Sequence, residues 1–521
     1  LKSFYVMNIK KFNDEHKLGF DSQDLDYYNK LFDKLQRPPT NVELYDLSQC
    51  NSEHARHWFF RGKFSQNGII INEPNLINKL KTTLNKKGNS LISFKDNSSV
   101  LKGKLVEGLV LANKKIQKVP SYINFSYKAE THNFPTGISP FPGAATGVGG
   151  RIRDNLAVGL GGRLIAGTAG YCVGDIDQKY DYQLNSPRKI LIEASNGASD
   201  YGNKIGEPLI QGFTRAFRKD YKQGRIEWLK PIMFSGGMGR VIGKDVHKGT
   251  GKLGDLIVRI GGPAYNIGMG GGSASSRGQD NANQEQDFSA VQRGDPEMAN
   301  KVSRFVEYCC SLNDNPIISI HDQGSGGMAN VTREISEPLG AKIFLDNIEL
   351  GDESMNSLEK WVAEYQEQIT ILIKPENLLL VKKVAERENV SLKVVGYIDN
   401  TKKIETVSKI EENKIVPFNI KRVYYMFNTI KGVVRGKHAH LQLKQIMLCV
   451  TGNCRITLDN GFSRESVILD SPTKGLLLEG LIWREMSDFS DDCLLLVLAS
   501  DFYDEDDYIR DYDEFKRLVK P

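Results

Sequence analysis

Apolar residues near the start of the chain recur at the spacing of a helix. Asp24–Tyr28 and Leu31–Leu35 carry this pattern, which predicts helical structure within residues ~20–60. The Pro38–Pro39 pair interrupts it, and Thr40 is suited to cap a second helix over Val42–Leu47.

Between residues ~252 and ~402, short apolar runs alternate with helical segments. The predicted strands are Leu256–Ile260, Ile369–Ile373 and Leu392–Val395, and the predicted helices are Pro296–Cys309 and Glu376–Glu386. This alternation is typical of an α+β or α/β domain.

The pattern changes between ~402 and ~410, where we place a domain boundary. Beyond it, short strands with alternating apolar residues dominate, namely Arg422–Phe427, Lys444–Val450, Arg455–Leu458, Ser466–Leu469 and Leu494–Leu498. Asn460-Gly461 between two of them predicts a type I′ hairpin turn. We therefore expect an all-β barrel, with the acidic stretch Asp501–Asp507 as a solvated segment.

The 521 residues suffice for about three or four domains. A net charge of +5 is too small to predict nucleic-acid binding. Seven cysteines without a Cys-x-x-Cys pair predict neither a disulfide framework nor a zinc site, and they favour the cytoplasm. The sequence predicts no membrane span and no signal peptide. Because it begins at Leu1 and not at Met, we expect that residues before it are missing.

The densest chemical motif is Tyr127–Thr136 followed by Gly143–Asp154. Its second part is interpreted as a glycine-rich loop whose backbone N–H groups bind phosphate, and it is not a Walker A loop. The residues of this expected phosphate site are Gly147, Gly149, Gly150, Arg151 and Arg153. Glu130 and Asp154 suit magnesium, and His132 between them is a candidate base or electrostatic group. The alternative for the glycine stretch is a tight hairpin.

These motifs resemble phosphoribosylformylglycinamidine synthase over residues ~20–400. The resemblance is carried, in order, by Asn51–His54, Phe94–Ser99, Glu130–Thr136, Gly147–Asp154, Ala194–Lys204, Phe234–Gly237, Gly268–Ser276, Val291–Pro296, His321–Gly327 and Ala363–Gln366. It implies a helical linker region over 1–107 and two α/β subdomains, 108–250 and 251–402, like those of aminoimidazole ribonucleotide synthetase.

The family uses ATP to phosphorylate the amide oxygen of formylglycinamide ribonucleotide, and ammonia then displaces the phosphate from the iminophosphate. The resemblance implies Mg²⁺ at Glu130, Asp154 and Asp322, substrate or phosphate contacts at Thr131, Asn133, Arg153, Gln292, Glu364 and Gln366, and active-site histidines at His132 and His54. Alternatives stay open: a helix cap for His54, a turn residue for Asp322, and a place at the edge of the core for Glu364 and Gln366.

The sequence departs from the full-length family pattern. It has one synthase half, no second Glu-Thr-His-Asn motif and no Cys–His glutaminase. Because the family's active site lies between two halves, we expect a partner or a second copy to complete it, with ammonia coming from a separate glutaminase.

The last segment contains His438 and His440, which lie two residues apart on a predicted strand and so share one face. Such a pair suggests a cupin metal site, but no histidine follows His440 and Gln445 stands where a glutamate ligand is common. Metal-free acid–base chemistry without a cofactor is the favoured interpretation.

This segment, 408–521, resembles the cupin (jelly-roll) dTDP-4-keto-6-deoxyhexose 3,4-ketoisomerases. The matching motifs are Arg422–Phe427, Arg435–His440, Thr451–Cys454, Leu469–Pro472, Trp483–Met486 and Leu496–Arg510. The resemblance implies a homodimer and a ketone shift through an enediol. We expect His440 as the base, assisted by His438, Tyr425 and Arg435. Tyr425 is equally suited to core packing, Arg435 to a surface pair, and Trp483 to a wall of the barrel mouth or to base stacking.

Three hypotheses follow for the whole chain: a bifunctional enzyme, a chimera in which each module keeps its own fold and only the ketoisomerase is active, and a non-catalytic nucleotide-binding scaffold.

Overall fold

The computed structural model describes residues 6–52, 57–71, 74–84, 88–112, 115–177, 185–276, 284–365, 367–407, 416–429, 432–470 and 475–519. The described chain divides into two units, residues 6–407 and residues 416–519, with separate hydrophobic cores. Within these ranges, no helix combines the length and the apolar character that a membrane crossing needs.

The first unit mixes helices and strands. Its helices are α1 Ile9–His16, α2 Ser22–Lys34, α3 Asn41–Cys50, α4 Trp58–Arg61, α5 Leu76–Thr82, α6 Asn133–Ile138, α7 Pro140–Leu156, α8 Pro187–Ile205, α9 Gly271–Ser276, α10 Gln284–Ser289, α11 Pro296–Ser311, α12 Gly327–Ser336, α13 Ser357–Val362 and α14 Leu378–Glu388. Its strands are β1 Ser65–Gln66, β2 Ile69–Ile70, β3 Ser90–Ile92, β4 Ser99–Ala112, β5 Lys115–Thr131, β6 Arg163–Val173, β7 Leu209–Ala216, β8 Arg218–Tyr221, β9 Gly224–Glu227, β10 Ile232–Ile242, β11 Leu256–Gly261, β12 Ile317–Asp322, β13 Gly340–Phe344, β14 Gln368–Ile373, β15 Leu392–Asp399 and β16 Ile404–Val407.

The N-terminal helices begin at well-formed caps. The Thr40 hydroxyl accepts a hydrogen bond from Glu43 N at 3.1 Å, and the Glu43 carboxylate accepts one from Thr40 N at 2.8 Å. This reciprocal arrangement is a capping box, and it confirms the predicted cap of helix α3.

The first large sheet has the strand order β3-β4-β5-β10-β6-β7. All neighbouring pairs are antiparallel except β6 and β7. Helices α7 and α8 pack on this sheet through a core that includes Val148, Ala194, Tyr201 and Met233. Strand β10 lies beside β5 with Ser235 opposite Glu130, so the Glu-Thr-His-Asn motif lies at the end of a central strand.

The second sheet has the order β12-β14-β11-β15-β13-β16 and is covered on both faces. Ile257 and Leu372 belong to the core on one face, whereas Val258 and Ile371 belong to the core on the other. Burial on both faces explains why the sequences of these strands are mainly apolar and do not alternate with polar residues. The predicted strands and helices of this region are confirmed, apart from small shifts at their ends.

The second unit is a barrel of two sheets followed by one helix. Its strands are β17 Arg422–Met426, β18 Arg435–His440, β19 Gln445–Thr451, β20 Cys454–Asp459, β21 Arg464–Leu469, β22 Gly475–Leu478, β23 Trp483–Ser487, β24 Leu494–Ala499 and β25 Tyr508–Ile509, and its helix is α15 Tyr512–Val519. The sheets have the orders β17-β24-β19-β22 and β21-β20-β23-β18-β25. Met447 and Val497 from one sheet pack with Ile456 and Met486 from the other, which forms the expected all-β core.

The hairpin at Asn460-Gly461 is confirmed, but its predicted type I′ geometry is wrong. A type I′ turn needs positive φ at both central residues, and only Gly461, at φ 88°, has it. The strands end at Asp459 and resume at Arg464, and the Asp459 carboxylate accepts a hydrogen bond from Gly461 N at 2.7 Å. A side chain therefore closes a longer loop here.

Two candidate active sites

Three carboxyl groups converge in the first unit. Glu130 lies near the end of strand β5, Asp154 in the last turn of helix α7, and Asp322 at the end of strand β12. The Lys128 ammonium lies 3.1 Å from Asp154 Oδ2 and 3.4 Å from Glu130 Oε2. Asn97 Nδ2 donates to Asp322 Oδ1 at 2.5 Å and to Asp154 Oδ1 at 3.3 Å. The structure thus places all three residues predicted as metal ligands around Lys128 and Asn97, although their carboxylate oxygens do not all lie within 4.8 Å of one another.

Burial and neighbouring negative charge raise the pKa values of Asp154 and Asp322. Burial and the neighbouring Glu130 raise the pKa of Asp154 to about 7, against the opposing effect of Lys128. Burial and the Asp154 charge raise the pKa of Asp322 to about 6. Carboxylates this close, one of them buried, favour a bound cation, and oxygen ligands of this kind are those Mg²⁺ prefers. The donor types therefore suit magnesium.

Lys128 is a member of this site that sequence reasoning missed. Its pKa is raised by Asp154 and Glu130, against the opposing effect of burial. The signal was its place on β5 two residues before Glu130, because residues two apart on a strand share a face.

His132 lies between strand β5 and helix α6 as a neutral imidazole. Its Nδ1 contacts the Gly143 carbonyl oxygen, which assigns the ring proton to Nδ1 and leaves a lone pair on Nε2. Burial lowers its pKa to about 4; the Gly143 carbonyl opposes the shift, and the Arg153 charge adds to it. At pH 7 this group can accept a hydrogen bond or a proton, but it carries no proton to donate from Nε2.

Arg153 places a buried cation beside these groups. Its Nη1 lies 3.4 Å from Glu367 Oε1, and its Nε has no hydrogen-bond partner in the described parts of the chain. Buried donors are normally satisfied, so the free Nε is a place for an anionic acceptor such as a phosphate oxygen.

Gln292 and Glu364, both expected to contact substrate, are bonded to each other. Gln292 Nε2 donates to Glu364 Oε2 at 2.7 Å, and Gly326 N donates to Glu364 Oε1 at 3.1 Å. Burial raises the pKa of Glu364 to about 7. Gln292 also interacts with His132, so it links that imidazole to Glu364.

The predicted glycine-rich phosphate loop is wrong. Gly147, Gly149 and Gly150 lie within helix α7, where backbone N–H groups bond to carbonyls one turn earlier. A Cβ atom at Gly147 would lie 2.9 Å from Met233 Sδ. These glycines permit close helix packing and do not cradle a ligand.

Arg151 is also placed differently from the prediction. It is 1% exposed, and its guanidinium donates to both Glu207 oxygens, at 2.9 and 2.6 Å, and to Thr168 O at 2.6 Å. With its donors used inside the protein, Arg151 is a buried structural ion pair and not a phosphate ligand.

Four further residues of this unit were predicted to contact substrate or to take part in the reaction, namely Asn133, Thr131, His54 and Gln366. Asn133 Oδ1 accepts a hydrogen bond from Met233 N at 2.9 Å, which anchors the turn around His132. Thr131 is exposed at the end of β5. His54 and Gln366 lie outside the described residues.

In the barrel, His438 and His440 share one face of strand β18. Their ring centroids are 4.9 Å apart, and the Tyr508 ring lies 4.9 Å from the first and 4.2 Å from the second. His440 is fully buried, and its Nδ1 lies 2.9 Å from Asp507 Oδ2. Its Nε2 has no hydrogen-bond partner among the residues described.

Burial lowers the pKa of His440 to about 2 and that of His438 to about 4. The Arg484 guanidinium contributes to both shifts, and the Asp507 contact opposes the shift of His440. Both imidazoles are therefore neutral at pH 7, and His440 presents an unprotonated Nε2 inside the barrel.

Several polar groups around this pair were not predicted. Arg484 is 1% exposed, and its Nε and Nη1 have no hydrogen-bond partner in the described structure. Gln445 donates to Tyr424 Oη at 2.8 Å, but its Oε1 accepts from none of the described groups. A buried cation and an amide with unused bonding capacity are suited to a polar, anionic ligand.

The structure contradicts the predicted roles of Tyr425 and Arg435. The Tyr425 side chain is 61% exposed and lies against Phe427, whereas Tyr424 faces inward. Arg435 is exposed, and the irregular register after Gly436 separates it from the two histidines. The inward residues are instead Tyr424 and Arg484.

Two further expectations for the barrel are wrong. Trp483 is buried against Tyr512 and Phe515, so it forms neither a wall of the barrel mouth nor a stacking platform. The acidic stretch is not wholly solvated, because the Asp507 carboxylate binds His440 and accepts from Gln442 N at 2.7 Å.

Three family models match parts of the chain. Residues 9–57 match the formylglycinamide ribonucleotide amidotransferase linker domain, residues 252–409 the C-terminal domain of AIR synthase related proteins, and residues 388–520 the FdtA family, described as WxcM-like, C-terminal.

Curated relatives match the first part of the chain. A probable phosphoribosylformylglycinamidine synthase of Arabidopsis thaliana, named as chloroplastic/mitochondrial, is 48% identical over 411 residues, or 75% of this chain and 29% of the relative. Phosphoribosylformylglycinamidine synthases of Dictyostelium discoideum and Homo sapiens are 47% and 43% identical, over 78% and 77% of this chain and 32% of each relative. The chain thus spans about a third of the length of these relatives.

Solved structures match each part. A T. maritima PurL complexed with FGAR aligns with 24% identity and a TM-score of 0.54, over 75% of this chain and 54% of that chain, which shows a common fold. A 3,4-ketoisomerase from Helicobacter canadensis is 43% identical over 24% of this chain and 88% of that chain, with a TM-score of 0.22.

Proposed function

Because the first unit is homologous to one half of phosphoribosylformylglycinamidine synthase and the second is an FdtA/WxcM-like cupin domain, we propose two chemistries on one chain. The first unit takes part in ATP-dependent conversion of the amide of formylglycinamide ribonucleotide to an amidine. The second shifts a ketone between neighbouring carbons of dTDP-4-keto-6-deoxyglucose.

The proposal for the first unit rests on one observation: the Glu130, Asp154 and Asp322 carboxyl groups meet beside a buried cation and a neutral imidazole. In this proposal the Arg153 Nε binds a phosphate oxygen, because it is a buried donor without a protein partner in the described chain. His132 Nε2 accepts a hydrogen bond from the substrate amide or from the incoming ammonia, since its proton is held on Nδ1.

The three carboxylates would hold Mg²⁺, which neutralises charge on phosphate oxygens when it is bound. Lys128 lies among these carboxylates, and in this proposal it offsets their charge while no nucleotide is present. Amide O-phosphorylation leaves ADP, and ammonia attack then expels inorganic phosphate, so that one ATP is consumed per amidine formed.

A partner completes this site in our proposal. Strand β7 is exposed along its whole length at the edge of the first sheet, and it carries Leu209, Ile210 and Phe213. Such an apolar edge needs cover, which a second synthase half or a second copy of the chain would supply. Ammonia comes from a separate glutaminase, and the proposed place of action is the cytoplasm.

ATP hydrolysis that depends on both ammonia and formylglycinamide ribonucleotide tests the first activity. We expect little turnover by the chain alone and measurable turnover after the missing synthase half is added. Absence of turnover in the reconstituted mixture, with nucleotide binding intact, would contradict the catalytic proposal and leave a nucleotide-binding scaffold.

The proposal for the second unit rests on the buried His440, whose free Nε2 faces the barrel interior. In this proposal Nε2 removes the proton from C3 of the sugar, electrons move onto the C4 carbonyl oxygen, and that oxygen takes up a proton to give an enediol. The C3 hydroxyl then loses its proton while C4 gains one, which leaves the carbonyl at C3. Arg484 binds the anionic part of the sugar nucleotide, and the barrel forms a homodimer.

Conversion of dTDP-4-keto-6-deoxyglucose to its 3-keto isomer, followed by NMR, tests this activity. His440→Asn is expected to abolish turnover because asparagine cannot take up the proton. Activity in the barrel without any in the reconstituted first unit would support the chimera hypothesis.

A further inference from the structure

Three cysteines from two separate segments of the chain meet in the core of the barrel. Cys449 lies on strand β19, Cys454 begins strand β20, and Cys493 directly precedes strand β24. Cys449 Sγ lies 3.5 Å from Cys454 Sγ and 3.7 Å from Cys493 Sγ, and all three sulfurs lie within 4.8 Å of one another. Their exposures are 0%, 0% and 3%, so solvent does not compete for them.

The surrounding backbone holds this cluster rigidly. The turn after Cys449 is tied to the loop before Cys493 by hydrogen bonds from Thr451 Oγ1 to Asp492 O at 2.7 Å and from Ser490 N to Asn453 O at 2.9 Å. Gly452 makes this contact possible, since its φ of 65° and its closeness to the loop exclude a side chain. The sulfurs are therefore preorganised by two segments at one end of the barrel.

The apolar surroundings of the three sulfurs favour a ligand that forms an uncharged complex with them. The neighbours of the sulfurs include Met447, Ile456 and Leu495, which offer no counter-charge. Burial raises the pKa of Cys493 to about 12, so its protonated thiol is the stable form. Three thiolates around Zn²⁺ or Cu⁺ would leave a net negative charge in this apolar site, which is costly.

We propose that Cys449, Cys454 and Cys493 form a three-thiol site for a trivalent thiophilic species of the arsenous acid type. Three S–H groups react with the three hydroxyls of arsenous acid, three As–S bonds replace three As–O bonds, and three water molecules leave. No atom changes oxidation state and the product is neutral. The occupant would cross-link the turn and the loop described above.

The test uses the full chain titrated with sodium arsenite at neutral pH. We expect one arsenic per chain by native mass spectrometry, with the loss of three hydrogens, and a higher thermal midpoint for the barrel. Cys454→Ala and Cys493→Ala are each expected to weaken binding by roughly 10- to 100-fold. Cys50→Ala, which removes the half-buried thiol beside Arg333, is the matched control and should leave binding unchanged.

Thiol mapping on the unaltered chain keeps the test independent of variant folding. Alkylation during rapid denaturation should spare Cys449, Cys454 and Cys493 when arsenite is bound. The proposal is overturned if no arsenic binds, if other cysteines are the ones protected, or if Zn²⁺ binds the same three sulfurs more tightly than arsenite does.

Discussion

His440 Nδ1 lies 2.9 Å from Asp507 Oδ2, and this contact determines which nitrogen of the ring faces the barrel interior. The carboxylate accepts a hydrogen bond from Nδ1–H, so the lone pair of Nε2 is left for the ligand. The contact joins strand β18 to the turn before strand β25. A residue from the acidic stretch therefore positions the proposed base.

Asp507→Asn is expected to lower kcat of the ketoisomerase by roughly 100-fold or more, because the amide no longer fixes the tautomer of His440. KM should change little, since Asp507 acts through the histidine. Asp506→Asn, at an exposed neighbour, is the control. Equal losses in both variants would indicate a general disturbance of the turn and not a positioning role.

The pH profile of the isomerase should be flat over an unusually wide range. Lowered histidine pKa values mean that the neutral, basic forms persist below the ordinary pKa of histidine. We expect kcat/KM to stay level from about pH 8 down to about pH 5 and to fall only towards the His438 pKa of about 4. A decline centred near the ordinary histidine pKa, with the fold intact by circular dichroism, would contradict this arrangement.

The magnesium binding that we propose for the first unit should weaken as the pH falls. Asp154 and Asp322 have pKa values raised to about 7 and about 6, and each must lose its proton before it can bind the ion. Calorimetry should show an affinity that decreases by up to about tenfold per pH unit for each proton released. Asp154→Asn should remove most of this dependence, whereas Asp200→Asn on the exposed face of helix α8 should leave it unchanged.

The buried pair of Arg151 and Glu207 should be one of the most sensitive points for stability. Their side chains are 1% and 3% exposed. Glu207→Gln leaves an unpaired buried cation and should lower the free energy of unfolding of the first unit by about 3–5 kcal/mol. Removing the partner of Lys204 with Asp200→Asn should change it by less than about 1 kcal/mol, because that pair is exposed. Chemical denaturation measures both, and equal effects would refute the assignment.

Periodic segments were predictable because one local rule dominated each of them. Helix α11 has a clear apolar face and a cap at Asp295, and strand β14, buried along its whole length, is mostly isoleucine and leucine. The five barrel strands predicted from alternating apolar residues overlap β17, β19, β20, β21 and β24. Glu130 and Asp154 were identified from the motif chemistry, and the family resemblance added Asp322 to them.

Other features depended on distant parts of the chain. Helix α7 was interpreted as a loop because its glycines and prolines are poor helix formers, and only tertiary packing reverses that preference. Tyr424 and Tyr425 cannot be told apart by alternation alone, since aromatic residues occupy both faces of strand β17. The cysteine cluster joins residues 449, 454 and 493, and no local spacing indicates it.

Helix α7 contains four glycines and two prolines among its 17 residues. Each glycine costs about 1 kcal/mol of helix stability relative to alanine, so this segment would not remain helical in isolation. Helix α7 is stabilised because residues such as Tyr201 and Met233 pack against it in the core. Arg153 and Asp154 therefore reach their positions only after the sheet beneath them has assembled. A newly synthesised chain therefore cannot form the proposed phosphate site until this part of the fold is complete, and nucleotide binding, if the proposal holds, would report finished folding.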